Sequence, residues 1–394
     1  MSPLPKTLPS STRRVPSTGS PGPWRPRSSR LPAWLLLLTL GWPVWTAALP
    51  VENLYEAEVA VSDQSPQQQE AGIATALTKV LAKVSGRREI PAGPALGEVL
   101  KDAAHAVRQY GYERPEGAAA EGLLLRVRFE PSLVDERVRR LGLPLWGGNR
   151  PGVLVWIALN PGGGPQLWQP ELEPALREGL ERAAFERGIP LLFPLLDLED
   201  QARLSVQGLW AGQAEAILAA SARYAPEAVL VGRLRRLPDE QWLGGWSLLL
   251  SQQTESWESP PKEAAAQGYE AVQGAADRLA ARLAPAGGGA GAASVRVLLS
   301  IRGIASVADY ARLRGLLGGL NSVAGSTVRR VEPDAMHYEV EVRGGVAVLE
   351  NELALRGGLL KETPEQAEEG TEIASEEPSA EAETITHLYY RLQP

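Results

Sequence analysis

VLVWIAL, residues 153–159, is apolar at every position. A strand with one face in water alternates polar and apolar residues, so an unbroken apolar run predicts a strand covered on both faces. AVLVGRL, residues 228–234, is a second, mostly apolar strand. Between them lie helical periods. Leu176, Leu180, Ala183 and Ala184 stripe one helix that stops at Gly188, and Ala214, Ile217 and Leu218 fall in another. Apolar strands alternating with amphipathic helices predict an α/β layer. Ile189–Leu196 reads as a further strand whose Pro194 places it at an edge or a bulge. Trp242, Gly244, Trp246, Leu248 and Leu250 share one strand face, and Gln252–Trp257 is expected to pair back with it. Tyr269, Val272, Ala276, Leu279 and Leu283 line a closing helix. This unit is assigned residues 161–284.

Working outward, a first α/β unit is assigned residues 54–160. Tyr55–Val61 reads as a strand. Ser65 followed by Pro66 is a helix start, and Gly86 is a helix stop. Ile73, Leu77, Val80, Leu81 and Val84 form the apolar face between them. A second helix is expected to place Leu96, Val99, Leu100, Ala103, Val107 and Tyr110 together. Leu123, Leu125, Val127 and Phe129 alternate with Arg126 and Arg128, the pattern of a half-buried strand. A short helix carries Val134, Val138 and Leu141.

A Gly/Ala linker, residues 285–294, leads to a third unit, residues 295–394. Val295–Ile301 reads as a strand. Ser306 and Asp309 open a helix in capping-box style. Thr327–Val331 and Tyr338–Val342 read as a hairpin, Val346–Leu355 as a second helix, and Leu388–Leu392 as a last strand. The order βαββαβ is ferredoxin-like. The fold class is therefore α/β (α+β) and multi-domain, with mixed α/β layers followed by that C-terminal unit. Residues 362–383 are Glu-rich and lack aromatics, which predicts a disordered acidic insertion.

The first 48 residues hold six basic residues (Lys6, Arg13, Arg14, Arg25, Arg27, Arg30) and no acidic one. The apolar run Ala33–Leu40 follows, and Thr46-Ala47-Ala48 is a small-x-small exit. This is the pattern of a secretory signal peptide cut near Ala48, which predicts export to the periplasm. Pro32 and Pro43 enclose only ten residues, against about twenty needed to span a bilayer. No membrane span is expected after cleavage.

Composition narrows the function. The chain of 394 residues has 40 basic and 47 acidic side chains; without the six leader cations, 34 face 47, a net charge of −13. So acidic a protein is a poor nucleic-acid binder. There is no cysteine, and His105, His337 and His387 are far apart, so no metal-ligand spacing exists. No Gly-x-Ser-x-Gly elbow and no Walker loop are present, and no cofactor is implied.

Two polar groups stand out. Asp197, Glu199 and Asp200 follow a strand, where α/β sheets commonly place ligands. They suit acid–base work, glycoside cleavage or a divalent cation; the alternative is that Asp197 or Asp200 caps the next turn. Trp146, Asn149 and Arg150 flank two glycines; Arg150 can pair with a carboxylate or anion, and the Asn149–Arg150 pair beside Trp146 can grip a sugar or peptide. The alternative there is a domain-joining turn with Trp146 in the core.

Four ordered stretches carry a resemblance: LTKVLAKVSG (77–86), GLPLWGGNRPGVLVWIAL (142–159), GIPLLFPLLDLEDQ (188–201) and SARYAPEAVLVGRL (221–234). They resemble an exported bacterial family known only as domain of unknown function 2066, which implies an envelope location and no assigned activity. Residues 188–234 are also similar, at the level of fold alone, to α/β modules of envelope assembly factors. The expected function is a periplasmic, non-enzymatic binding or scaffold module of the bacterial cell envelope, with an envelope protein or glycan as partner. The competing readings are a carboxylate-dependent glycan hydrolase and a small-ligand sensor with its pocket between units one and two.

Overall fold

Ser65 and Gly86 set the longest helix of the first unit. In the computed structural model, which describes residues 51, 53–114, 122–250, 253–284, 294–364, 366 and 385–393, strand β1 (Glu56–Val61) leads into helix α1 (Pro66–Ser85). Ser65 Oγ accepts from Gln68 N, and Gly86 adopts the left-handed conformation at φ 71°, so its N–H and that of Arg87 turn back onto Lys83 O and Ala82 O. Helix α2 (Pro94–Leu100) and a short 3₁₀ turn precede β2 (Val107–Glu113); β3 (Leu123–Phe129) and helix α3 (Pro131–Arg140) complete the unit. The sheet order is β1-β3-β2, antiparallel throughout. Leu125, Val127 and Phe129 point into the core with α1, while Arg126 and Arg128 pair across the strand with Glu58 and Glu56 at 2.6 and 2.7 Å. The second helix expected through Tyr110 stops at Leu100 instead. Val107, Tyr110 and Tyr112 favour a pleated strand, and pairing with β3 outweighs the helical spacing.

The second unit takes in the strand 153–160 that the expected bounds gave to the first, because it pairs with the strand 228–236; its elements run β4 (Val153–Asn160), β5 (Gln166–Leu167), α4 (Pro174–Arg187), β6 (Leu191–Leu192), α5 (Leu198–Arg203), α6 (Val206–Ala211), α7 (Ala214–Ser221), β7 (Ala228–Arg236), β8 (Trp242–Leu250), β9 (Gln253–Lys262) and α8 (Ala264–Leu283). The sheet order is β5-β4-β7-β8-β9, with β6 also pairing to β4. Strands β4, β6 and β7 are parallel; β7, β8 and β9 form an antiparallel meander. Strand β4 is covered on both faces. Val153, Val155, Ile157 and Leu159 meet α4 and α8, while Leu154, Trp156 and Ala158 meet α6 and α7. Trp242 and Trp246 lie buried in the first of these cores. Pro194 limits the expected strand 189–196 to Leu191–Leu192.

Helices α4 and α8 pack backbone to backbone. A Cβ at Gly179 would stand 1.8 Å from Ala265 O, and one at Gly268 would stand 2.4 Å from Leu176 O. That approach brings the side chains of α4 and α8 together at one end, beside α1.

The third unit runs β10 (Val295–Arg302), α9 (Val307–Gly318), β11 (Val323–Val331), β12 (Ala335–Val342), α10 (Val346–Arg356), β13 (Leu359–Glu362) and β14 (Thr386–Leu392). Its sheet order is β11-β12-β10-β14-β13. The expected βαββαβ succession carries one strand more. Strand β13 has the direction of the expected last strand, but β14 enters between it and β10 and runs parallel to β10. Glu362 closes β13, its side chain 7% exposed between Arg302 and Arg391 at 3.3 and 2.6 Å. Residues 365 and 367–383 of the acidic segment lie outside the described residues, as do the leader and residues 285–293 of the linker. The chain is of the α+β class. Among the described residues no helix is long and apolar enough to cross a membrane.

Candidate functional site

Two helix C-termini, those of α1 and α4, end near the turn 146–150. A helix end leaves carbonyl oxygens without intrahelical donors and carries partial negative charge. Arg150 satisfies both ends. Its Nη2 donates to Lys83 O at 2.7 Å and to Trp146 O at 3.0 Å, its Nη1 donates to Arg187 O, and its Nε donates to Gly147 O at 3.2 Å. Its guanidinium lies 4.0 Å from the centre of the Trp146 ring. Both side chains are fully buried. Burial, and then the charge of Arg187, push the Arg150 pKa down. Asn149 faces the third unit: Asn321 Nδ2 donates to Asn149 O at 2.8 Å, and Asn149 N donates to Asn321 Oδ1 at 3.4 Å. Trp146, Asn149 and Arg150 are therefore brought together as the joint of three units, with four N–H groups of Arg150 engaged by backbone carbonyls.

The acidic residues form a second brace. Asp197 caps α5 by accepting from Asp200 N at 3.0 Å. Asp200 is buried and accepts from Leu196 N at 2.9 Å and from the Tyr224 hydroxyl at 2.6 Å. Arg223 Nη1 reaches Asp197, Asp200 and Glu199 at 2.8, 3.2 and 3.5 Å. Arg223 holds the Asp197 carboxyl below the usual range. Leu196, at φ 55°, is kept in the left-handed region by this network. Among the described residues no cluster of three or more His, Asp and Glu side chains is placed to hold a metal ion.

A polar cleft lies between the first and second units, where the sensor reading expects its pocket, although the sequence singled out none of its lining residues. It encloses about 580 Å³ between α1 and β1 on one side and α4 and α8 on the other. Such a volume suits a small ligand. Lys83 forms part of its wall. The Lys83 ammonium donates to Glu56 O at 2.7 Å and Asn53 O at 3.1 Å, and lies 4.1 Å over the Phe185 ring. Burial pushes its pKa down to about 7, and Arg150 acts in the same direction; Glu56, Glu186 and Glu58 oppose them. Arg187 donates to Gln273 Oε1 and Asp277 Oδ1, both at 2.7 Å, and to Gly86 O at 2.8 Å, which fixes α4, α8 and the end of α1 to one another. Tyr269 donates to Glu186 at 2.6 Å. The signal in the sequence was slight: Lys83 directly precedes Val84 in the buried last turn of α1.

Residues 48–147 match the model of a family described as Domain of unknown function (DUF8605). The match covers the first unit and the start of the joint. It overturns the resemblance to domain of unknown function 2066. The stretches that carried that resemblance are a core helix with its glycine stop, buried strands and a capped turn. Packing imposes such patterns on unrelated families alike. No curated protein matches the chain.

Proposed function

We propose that the protein is an exported, periplasmic binding module of the bacterial cell envelope, and that it holds its ligand in the cleft between the first and second units without catalysing a reaction. The observation that carries this reading is the cleft itself. Its walls come from α1, α4 and α8, and Arg150 and Arg187 lock those helices together through five carbonyls and one carboxylate. A preorganised concave site on rigid helices favours binding. Export rests on the basic head, apolar run and small-residue exit of residues 1–48. The small-ligand sensor is the form of this reading that the cleft volume favours.

The glycan hydrolase has less support. Asp197, Glu199 and Asp200 all turn toward Arg223, and Asp200 is further occupied by Tyr224 and Leu196. An inverting or retaining pair must instead face one another across a substrate.

The test is photo-crosslinking in intact cells from a probe residue placed at Arg182, compared with one at Arg314 on the third unit. An adduct specific to position 182, with a mature amino terminus near Leu49, is the expected result. Release of glycan fragments by the purified protein, lost on replacing Asp197, Glu199 and Asp200, would establish the hydrolase in its place.

A further inference from the structure

We infer that the cleft between α1 and α4–α8 recognises a small organic anion, whose carboxylate or phosphate group reaches Arg87 and Arg182 and whose apolar part lies against Phe185 and Tyr269. This rests on the binding reading above and adds the chemistry of the ligand. The lining holds six cations but only three acids, Glu58, Glu89 and Glu186, although the chain as a whole carries a net charge of −7. A cation-rich cleft in an acidic protein concentrates anions where the rest of the surface repels them.

The cations are not equally available. Arg88 is held by Asp277 and Glu270, and Arg187 by Asp277. Among the described residues, Arg87 and Arg182 have no carboxylate partner; Arg182 lies over the Tyr269 ring at 5.1 Å. Glu58 is already occupied by Arg126 at 2.6 Å. The negative ends of α1 and α4 would repel an anion, but Arg150 and Arg187 cover their carbonyls.

A second observation is independent of the charge balance. Arg187 is 2% exposed, lines the cleft, and its Nε is buried with no hydrogen-bond partner. A buried donor left without an acceptor is costly, and it adds to the excess of donors over acceptors in the wall of the cleft. Phe185 and Tyr269 supply the apolar surface, which selects an organic anion over a bare inorganic one.

The intact mature chain is titrated with phenyl phosphate and, separately, phenylacetate, followed by ligand-observed NMR. Neutral benzyl alcohol is the control. At least one anion is expected to bind and to weaken about tenfold in Arg182→Gln and in Arg87→Gln, with Arg314→Gln unchanged. Both substituted residues are exposed, so folding is preserved. Which of the two anions binds more tightly distinguishes a phosphate ligand from a carboxylate one. If benzyl alcohol binds as well as the anions, or if neither arginine variant weakens them, the anion inference is overturned, while the binding reading is decided separately by the position-182 adduct. If none of the three binds, the anion inference is overturned. The loss of the position-182 adduct in cells would then overturn the binding reading as well.

Discussion

Arg150 Nη2 lies 2.7 Å from the carbonyl oxygen of Lys83, and the same guanidinium also donates to Arg187 O. One side chain thus closes the ends of α1 and α4. A buried cation with several acceptors is tolerable because the carbonyls it meets are those that helix geometry leaves unsatisfied. Arg187 repeats the device by donating to Gly86 O at 2.8 Å. The joint between the first two units thus combines these charged contacts with apolar packing of Trp146 against the core of the second unit.

Removing Arg150 should be among the most damaging single changes in the chain. Arg150→Met keeps the bulk beside Trp146 but strands four carbonyl oxygens. A loss of about 3–5 kcal/mol is expected, the usual cost of breaking a buried charged network. Arg150→Lys should recover only part of it, because an ammonium has three donors and cannot span the same fork. Urea denaturation of the three proteins checks the order. Equal stability of the Met variant and the parent would show that the joint is dispensable.

Two glycines in helices should respond in opposite directions. Gly179→Ala would drive a methyl into Ala265 O, so α4 and α8 must part; a loss of about 1–3 kcal/mol or more is expected. Gly97→Ala in α2 meets nothing within 4 Å and should stabilise by about 0.5–1 kcal/mol. Thermal unfolding of the two variants separates close packing from helix propensity.

The fold was legible where local chemistry acts alone. Ser65, Pro66 and Gly86 bound α1, the alternation at Leu125, Val127 and Phe129 marks β3, and the apolar run 153–159 is covered on both faces. It was less legible where two periods coincide. Val107 and Tyr110 fit the spacing of a helix face, and only pairing with β3 decides for a strand. Strand β14 pairs in parallel with β10 across a long stretch of chain, and no local pattern announces that partner. The site was the least legible part. Two of the four partners of Arg150 lie 67 and 37 residues away, and the cleft draws Lys83, Arg182 and Tyr269 from three helices. Asp197 and Arg150 carried the right residue types for chemistry, yet both are spent on backbone and helix-capping contacts.

Asp200 and Glu199 are neighbours with unequal roles. Asp200 is buried and takes donors from Leu196, Tyr224 and Arg223, so Asp200→Ala should cost about 2–3 kcal/mol. Glu199 is half exposed and its contacts with Arg203 and Arg223 are at the surface. Glu199→Gln should stay within about 0.5 kcal/mol of the parent. Chemical denaturation decides; a large effect at Glu199 would point to a role outside the brace.

Lys83 should give the protein an unusual pH profile. Its ordinary pKa is 10.5, and burial lowers it to about 7 in the folded chain. Below pH 7 both folded and unfolded chains carry the proton, and the cost of burying the charge is felt in full. Between the two values the unfolded chain binds the proton and the folded chain does not, so stability rises with pH, by at most about 1.4 kcal/mol per pH unit. The groups acting on Lys83 are Arg150, Glu56, Glu58 and Glu186, and none reverses the direction. The rise is expected between about pH 7 and 9. At higher pH Tyr269, pushed up to about 12 by burial and by Glu186, works the other way, since the unfolded chain then loses its phenolic proton first. Denaturation midpoints at several pH values give the slope, and Lys83→Met should flatten it whichever way that variant shifts the absolute stability. A parent profile that falls from pH 7 to 9, or a slope that survives in Lys83→Met, would assign the titration to another group.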